Sequence, residues 1–118
     1  MKKILVIDDD VDILNVVKIM LTHHDFVVET TSRWQIILKT IKTFIPDLIL
    51  LDIDLNGADG GDICQKVKQL EEFREVPVIL FSCHHLPRRY LRACDAQGFL
   101  AKPFEQSDLI KIIQHSLN

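Results

Sequence analysis

The residues best suited to chemistry stand at the ends of short apolar runs. Asp8, Asp9 and Asp10 follow the run 4–7, and Asp52 and Asp54 follow the run 48–51. Ser82 follows 78–81, and Lys102, with Pro103 behind it, follows 99–101. Polar loops are ordinary, so a single aspartate there would be plain surface. Several carboxylates gathered together repel, and that repulsion costs stability unless a cation lies among them. Two or three carboxylates with waters form the hard oxygen site that Mg²⁺ favours. Lys102 offsets only one of those negative charges. A carboxylate beside a dication, an ammonium and a hydroxyl suits phosphoryl transfer, because the cations neutralise the oxygens of the moving group. The carboxylate can itself be the acceptor, giving an aspartyl phosphate. Other phosphate chemistry lacks its parts. Gly57, Gly60 and Gly61 are not followed by Lys-Ser/Thr, so there is no Walker loop. Asp8-Asp9-Asp10 would repel a dinucleotide pyrophosphate.

Strands and helices must alternate to bring these residues to one place. The runs 4–7, 26–28, 47–53, 78–81 and 99–101 read as strands. Between them come helical spacings: Leu14, Val17 and Leu21 within 11–22, and Ile63, Val67 and Leu70 after the glycine-marked loop. Ser32 is expected to cap a helix whose one face carries Trp34, Ile37, Leu38 and Ile41. A short helix is expected over 87–96. A last one opens at Glu105 or Ser107 and turns Leu109, Ile112, Ile113 and Leu117 inward. Five strand–helix repeats imply an α/β fold, a parallel sheet covered on both faces with right-handed crossovers. In such sheets the working crevice lies beyond the carboxyl ends of the strands, which is where the aspartates, Ser82 and Lys102 fall.

The 118 residues suit one domain. A hydrophobic share of 47% and a charged share of 26% are those of a globular chain rather than a disordered one. The net charge of −3 argues against direct nucleic-acid binding, which draws on a basic surface. The longest apolar runs are far shorter than the roughly 20 residues of a membrane span, so no membrane partner is expected. Cys64, Cys83 and Cys94 are odd in number and widely spaced. With no export signal they read as reduced, inert packing thiols of a cytoplasmic protein.

Taken in order, these motifs resemble the receiver domain of two-component response regulators along the whole chain. ILVIDDD (4–10) is similar to the family's first strand and acidic pair, and PDLILLDIDL (46–55) to the strand carrying the phosphorylated aspartate. PVILFS (77–82) is similar to the strand ending in Ser or Thr, and FLAKPF (99–104) to the Lys-Pro signature. The resemblance implies a flavodoxin-like, doubly wound five-stranded parallel sheet of order 2-1-3-4-5 with five helices. It implies a single receiver domain over 1–118, with no output domain in this chain. Asp52 would be the phosphoacceptor. Asp9 would bind Mg²⁺ directly, Asp8 through water or by sharing it, and Asp52 and the backbone carbonyl of Asp54 would complete the metal site. Lys102 would pair with the phosphoryl group and Ser82 would turn toward it. Ser82 and Phe99 would form the switch, and a cis bond to Pro103 would place Lys102. The implied partners are a sensor histidine kinase or phosphotransfer protein upstream, and a protein partner or homodimer downstream. The downstream contact would use the surface of the fourth helix, fifth strand and last helix.

Several residues depart from the family pattern. Asp54 stands where Met or Asn is common, and its side chain would alter the lifetime of the phosphoryl group. Asn56 stands where Pro is common, implying a looser loop. Asp95 stands where a helix-ending Gly is usual. The interval from Ser82 to Lys102 is about two residues short, and His84 would lie near the mouth of the site. Arg88, Arg89 and Arg92 read as a solvated stripe, with an acidic partner or a dimer contact as the alternative. The pairs His23-His24 and His84-His85 lack metal-ligand spacing and read as surface. Two other functions compete. Asp52-Ile53-Asp54 matches the DxD of haloacid-dehalogenase-type phosphatases, although Asn56 and the motif's place on the third strand fit that family poorly. A degenerate receiver acting by protein binding alone is the other alternative.

Overall fold

The computed structural model describes residues 1–83 and 94–118. Five parallel strands form where the apolar runs stand: β1 (Lys3–Ile7), β2 (Val27–Thr31), β3 (Leu48–Asp52), β4 (Val78–Ser82) and β5 (Gly98–Ala101). Their order is β2-β1-β3-β4-β5. β3 and β4 are buried at every residue, and β1 at all but its first. That is why these strands read as unbroken apolar runs rather than alternating ones. The edge strand β2 alternates, and β5 is half-buried.

Alternate side chains feed two cores. Leu5, Ile7, Ile49, Leu51, Val78 and Leu80 pack with α2 (Ile37–Phe44) and α3 (Gly60–Gln69). Ile4, Val6, Leu48, Leu50, Ile79 and Phe81 pack with α1 (Val11–His23) and α4 (Gln106–Leu117). Each fully buried Leu or Ile stabilises the fold by roughly 1.5–3 kcal/mol. This is the doubly wound, flavodoxin-like arrangement. Among the described residues there are four α-helices; most of the helix expected over 87–96 lies outside them, as do His84, His85, Arg88, Arg89 and Arg92. No helix of the described chain is long and apolar enough to cross a membrane.

Side-chain caps mark the starts of two of the four described helices, α1 and α3. Asp10 caps α1, accepting from the N–H groups of Asp12 and Ile13, so the third aspartate of the run serves the helix. Asp59 caps α3 by accepting from Gly61 N at 2.7 Å, and Gly60 and Gly61 therefore open that helix rather than lying in the preceding loop. The expectation at Ser32 fails. No side chain caps the next segment, Trp34–Ile36 forms a 3₁₀ turn before α2, and Leu38 is exposed. The turn rotates Leu38 away from the stripe that Ile37 and Ile41 bury. In α4, Leu109, Ile110 and Ile113 are buried, whereas Ile112 and Leu117 are only partly so.

Candidate functional site

Strand register assembles the site. Ile7 lies beside Leu51, so Asp8 and Asp52 stand one step beyond at the same rim. Asp52 lies beside Phe81 and Ser82 beside Ala101, which carries the rim on to Lys102. Side chains alternate across a sheet. Asp8, Asp52 and Lys102 thus follow the parity of Val6, Leu50 and Leu100 on the face of α1 and α4, and Ser82 and Phe99 share the face of α3.

The three residues on the first face meet. Lys102 Nζ donates to Asp8 Oδ2 at 2.8 Å and lies 3.4 Å from Asp52 Oδ1. It also sits 4.8 Å above the ring of Phe81, whose edge contact with Phe104 fills the space below. Asp8 and Asp52 are only 1% and 3% exposed, so water screens their charges poorly. Burial, reinforced by the charge of Asp8, pushes the Asp52 carboxyl up to about 6, against the pull of Lys102. Burial alone would lower the Lys102 ammonium, but its bond to Asp8 and the charges of Asp8 and Asp52 hold it above the ordinary lysine value. The Lys102–Pro103 peptide is cis.

Two carboxylates against one ammonium leave a net negative charge, with Asp9 nearby. Among the described residues, no three His, Cys, Asp or Glu side chains form a cluster that would hold an ion unaided. The donor set still fits Mg²⁺, which commonly takes one or two carboxylates and keeps several waters. A dication would also relieve the charge that raises Asp52.

The other candidates fall around this centre. Ser82 is fully buried and donates to Asp54 Oδ2 at 2.8 Å. The Asp54 carboxylate, placed by sequence in the surroundings of the phosphoryl group, thus takes up the hydroxyl expected to turn toward that group. The Asp54 N–H donates to Asp52 Oδ1 at 3.2 Å, orienting the central carboxylate. Phe99 is half-buried against the α3-side core. Asp9 accepts a hydrogen bond from the backbone N–H of Asn56. The loop at Asn56, expected to be looser for want of a proline, has a second tie: the Trp34 indole N–H donates to the Asn56 carbonyl at 2.8 Å. Gly57 follows at φ +86, a left-handed turn that strains any other residue. Gly60 allows close packing: a Cβ there would stand 2.3 Å from the Asp52 carbonyl oxygen. Sequence reading missed the link from Trp34 to Asn56 beside the site, because it runs through a backbone carbonyl that no residue type announces. The Asp54–Ser82 pair was open to discovery, since Asp54 lies two residues past the end of β3 and Ser82 ends the adjacent β4.

The response regulator receiver domain family matches residues 4–114. The chain belongs to that family. Among solved structures, the receiver superposes on the chemotaxis protein CheY4 of Vibrio cholerae with a TM-score of 0.94, at 25% identity and covering 99% of each chain. NtrX of Brucella abortus is 31% identical with a TM-score of 0.87, over 98% of this chain and 27% of that one. The response regulator protein GraR of Staphylococcus epidermidis is 28% identical over 95% of this chain and 50% of its own length. The chain spans about half or less of the length of most curated relatives it matches most strongly, 19% in the lowest case. A receiver domain of two-component systems is therefore established, with the fold and strand order expected from sequence.

Asp95, in this receiver, adopts the left-handed backbone (φ +58) that a helix-ending glycine would take. Cys64 and Cys94 are buried, and burial together with the neighbouring Cys94 pushes the Cys64 thiol up to about 12, which keeps it inert. Cys83 is exposed, so the expectation of three packing cysteines holds for two. His23 and His24 are exposed.

Proposed function

We propose that the domain is a phospho-accepting switch in which Asp52 takes a phosphoryl group from a phosphohistidine. The observation that carries this reading is the buried trio, in which Lys102 reaches both Asp8 and Asp52 at the carboxyl rim of the sheet. An ionised Asp52 oxygen attacks phosphorus, the P–N bond to the donor imidazole breaks, and an acyl phosphate forms on Asp52. Lys102 moves from the carboxylates to the oxygens of the transferred group, where its charge is worth most in a poorly screened pocket. Asp9, Asp52 and the carbonyl of Asp54 would hold Mg²⁺, with Asp8 behind them. When bound, that ion neutralises charge on the phosphoryl oxygens. Ser82 must then leave Asp54 to reach a phosphoryl oxygen, and Phe99 on the same face follows it inward. The covalent group favours one of two arrangements and shifts the population toward it, which alters the surface around the fifth strand and last helix.

The donor is a sensor histidine kinase or a phosphotransfer protein. An apolar groove of 380 Å³, lined by Ile13, Val16, Met20, Pro103 and Phe104, reaches Lys102, and exposed Val11, Val16 and Ile19 extend apolar surface along α1. A protein presenting phosphohistidine to Asp52 has its apolar footing there. The receiver is a phosphoacceptor, not a turnover enzyme, and acts in the cytoplasm on a downstream protein or a second copy of itself. The Asp54 carboxylate is engaged with Ser82, which disfavours it as the acid/base of a phosphatase.

Incubation with Mg²⁺ and acetyl phosphate, followed by intact mass, tests the reading. One added phosphoryl group that disappears in Asp52→Asn is the expected result. No adduct with any donor means a degenerate receiver. Many phosphates released per protein from small esters means a phosphatase.

A further inference from the structure

A tryptophan outside the expected constellation grips the metal loop. Trp34 precedes α2 in the 3₁₀ turn and packs against the α3-side core. Its indole N–H donates to the Asn56 carbonyl, and the N–H of the same residue donates to Asp9 Oδ2. Asn56 is thus held on both sides of its backbone, between the indole and a carboxylate assigned to the cation. The left-handed turn at Gly57 lies under the ring, where an added Cβ would stand 3.9 Å from the indole. Proline, common at this position in the family, would have no N–H to offer Asp9. Carboxylates that ligate metals are commonly fixed by a hydrogen bond to one oxygen, which leaves the other for the ion.

We propose that Trp34 is a positioning residue for cation binding: it fixes Asn56, and Asn56 fixes Asp9. The inference rests on the reading that Asp9 and Asp52 hold a divalent ion. Trp34 acts on affinity and touches neither phosphorus nor the reacting oxygens. Loosening it therefore raises the Mg²⁺ needed for phosphorylation without lowering the rate at saturating Mg²⁺. As the only tryptophan in the chain, it also reports on the loop directly.

The test uses the intact domain with Mn²⁺ as the probe, free ion being counted by electron paramagnetic resonance. Trp34→Phe keeps the aromatic packing and removes the donor. Its dissociation constant for Mn²⁺ is expected to rise about tenfold, with little change in metal-free melting temperature. Half-saturating Mg²⁺ for acetyl-phosphate labelling should rise in parallel at an unchanged maximal rate. In the unaltered protein, adding Mg²⁺ should shift the Trp34 fluorescence. Equal Mn²⁺ affinity in the two proteins overturns the positioning role while leaving the switch intact. Absence of Mn²⁺ binding in the unaltered protein overturns the cation reading and this inference with it.

Discussion

Two lysines, one buried and one partly buried, stand at opposite ends of the sheet and are held in opposite ways. Lys102, at the carboxyl rim, is held by the charges of Asp8 and Asp52. Lys68, in α3, is 6% exposed and, among the described residues, has no carboxylate in hydrogen-bond contact. Its ammonium donates to the carbonyls of Arg74 and Val76 and to Gln97 Oε1 at 3.0 Å, and that same oxygen accepts from Val78 N. Burial holds Lys68 below the ordinary lysine value, whereas its partners' charges hold Lys102 above it. Carbonyls belong to the backbone and have no competing claim, so Lys68 ties α3 to the starts of β4 and β5 permanently. Carboxylates can take another cation or a covalent group, so the bonds of Lys102 are open to exchange. One lysine is a rivet and the other is a contact that chemistry can redirect.

Exchanging each lysine for methionine tests that contrast most strongly. Lys102→Met should slow labelling by acetyl phosphate at least 100-fold, because it removes the charge facing the transferred oxygens. Lys68→Met should leave labelling within about twofold and cost about 2 kcal/mol in urea unfolding, as buried carbonyls lose their donor. Similar labelling by both variants would erase the distinction between the two ends. Between these effects lies Gly60→Ala. A methyl there meets the Asp52 carbonyl and the Ile53 backbone, neither of which can yield as a side-chain tip would. A loss of roughly 3 kcal/mol is expected, together with slowed labelling, because the displaced backbone carries the acceptor. Normal labelling would show that the rim tolerates movement.

The same contrast explains what could be read without coordinates. Asp8, Asp52, Ser82 and Lys102 were legible because each ends an apolar run, and parallel strands must bring such ends to one rim. The central strands were legible because burial on both faces leaves a plain apolar string. By its spacing Trp34 belongs to a helical stripe with Leu38. The 3₁₀ turn changes the angular step, exposing Leu38 and freeing the indole for Asn56. Lys68 was invisible for a related reason. Lysines are seldom buried, and its partners are the carbonyls of Arg74 and Val76 and an amide oxygen from Gln97, none of which carries a charge. Bonds to the backbone leave little trace in residue identity, whereas charge facing charge leaves a clear one.

A last expected effect, on stability alone, concerns how the rim stores its charge. In the metal-free domain the Asp52 carboxyl titrates at about 6, against an ordinary value of 3.8. Between those values the folded domain keeps a proton that the unfolded chain has released, so stability falls as pH rises through this window and levels off above it. At neutral pH the ionised carboxyl then costs the fold about 3 kcal/mol. Asp52→Asn has no proton to lose. Its stability by urea unfolding in EDTA should exceed that of the unaltered domain at pH 7 and approach it near pH 4, where both side chains are neutral. Subtracting the two curves cancels the other carboxylates. Added Mg²⁺ should close the gap at pH 7, since the ion binds the ionised form and competes with the proton. If the two curves run parallel from pH 4 to 7, Lys102 already neutralises the rim, and there is no charge imbalance to draw in a dication.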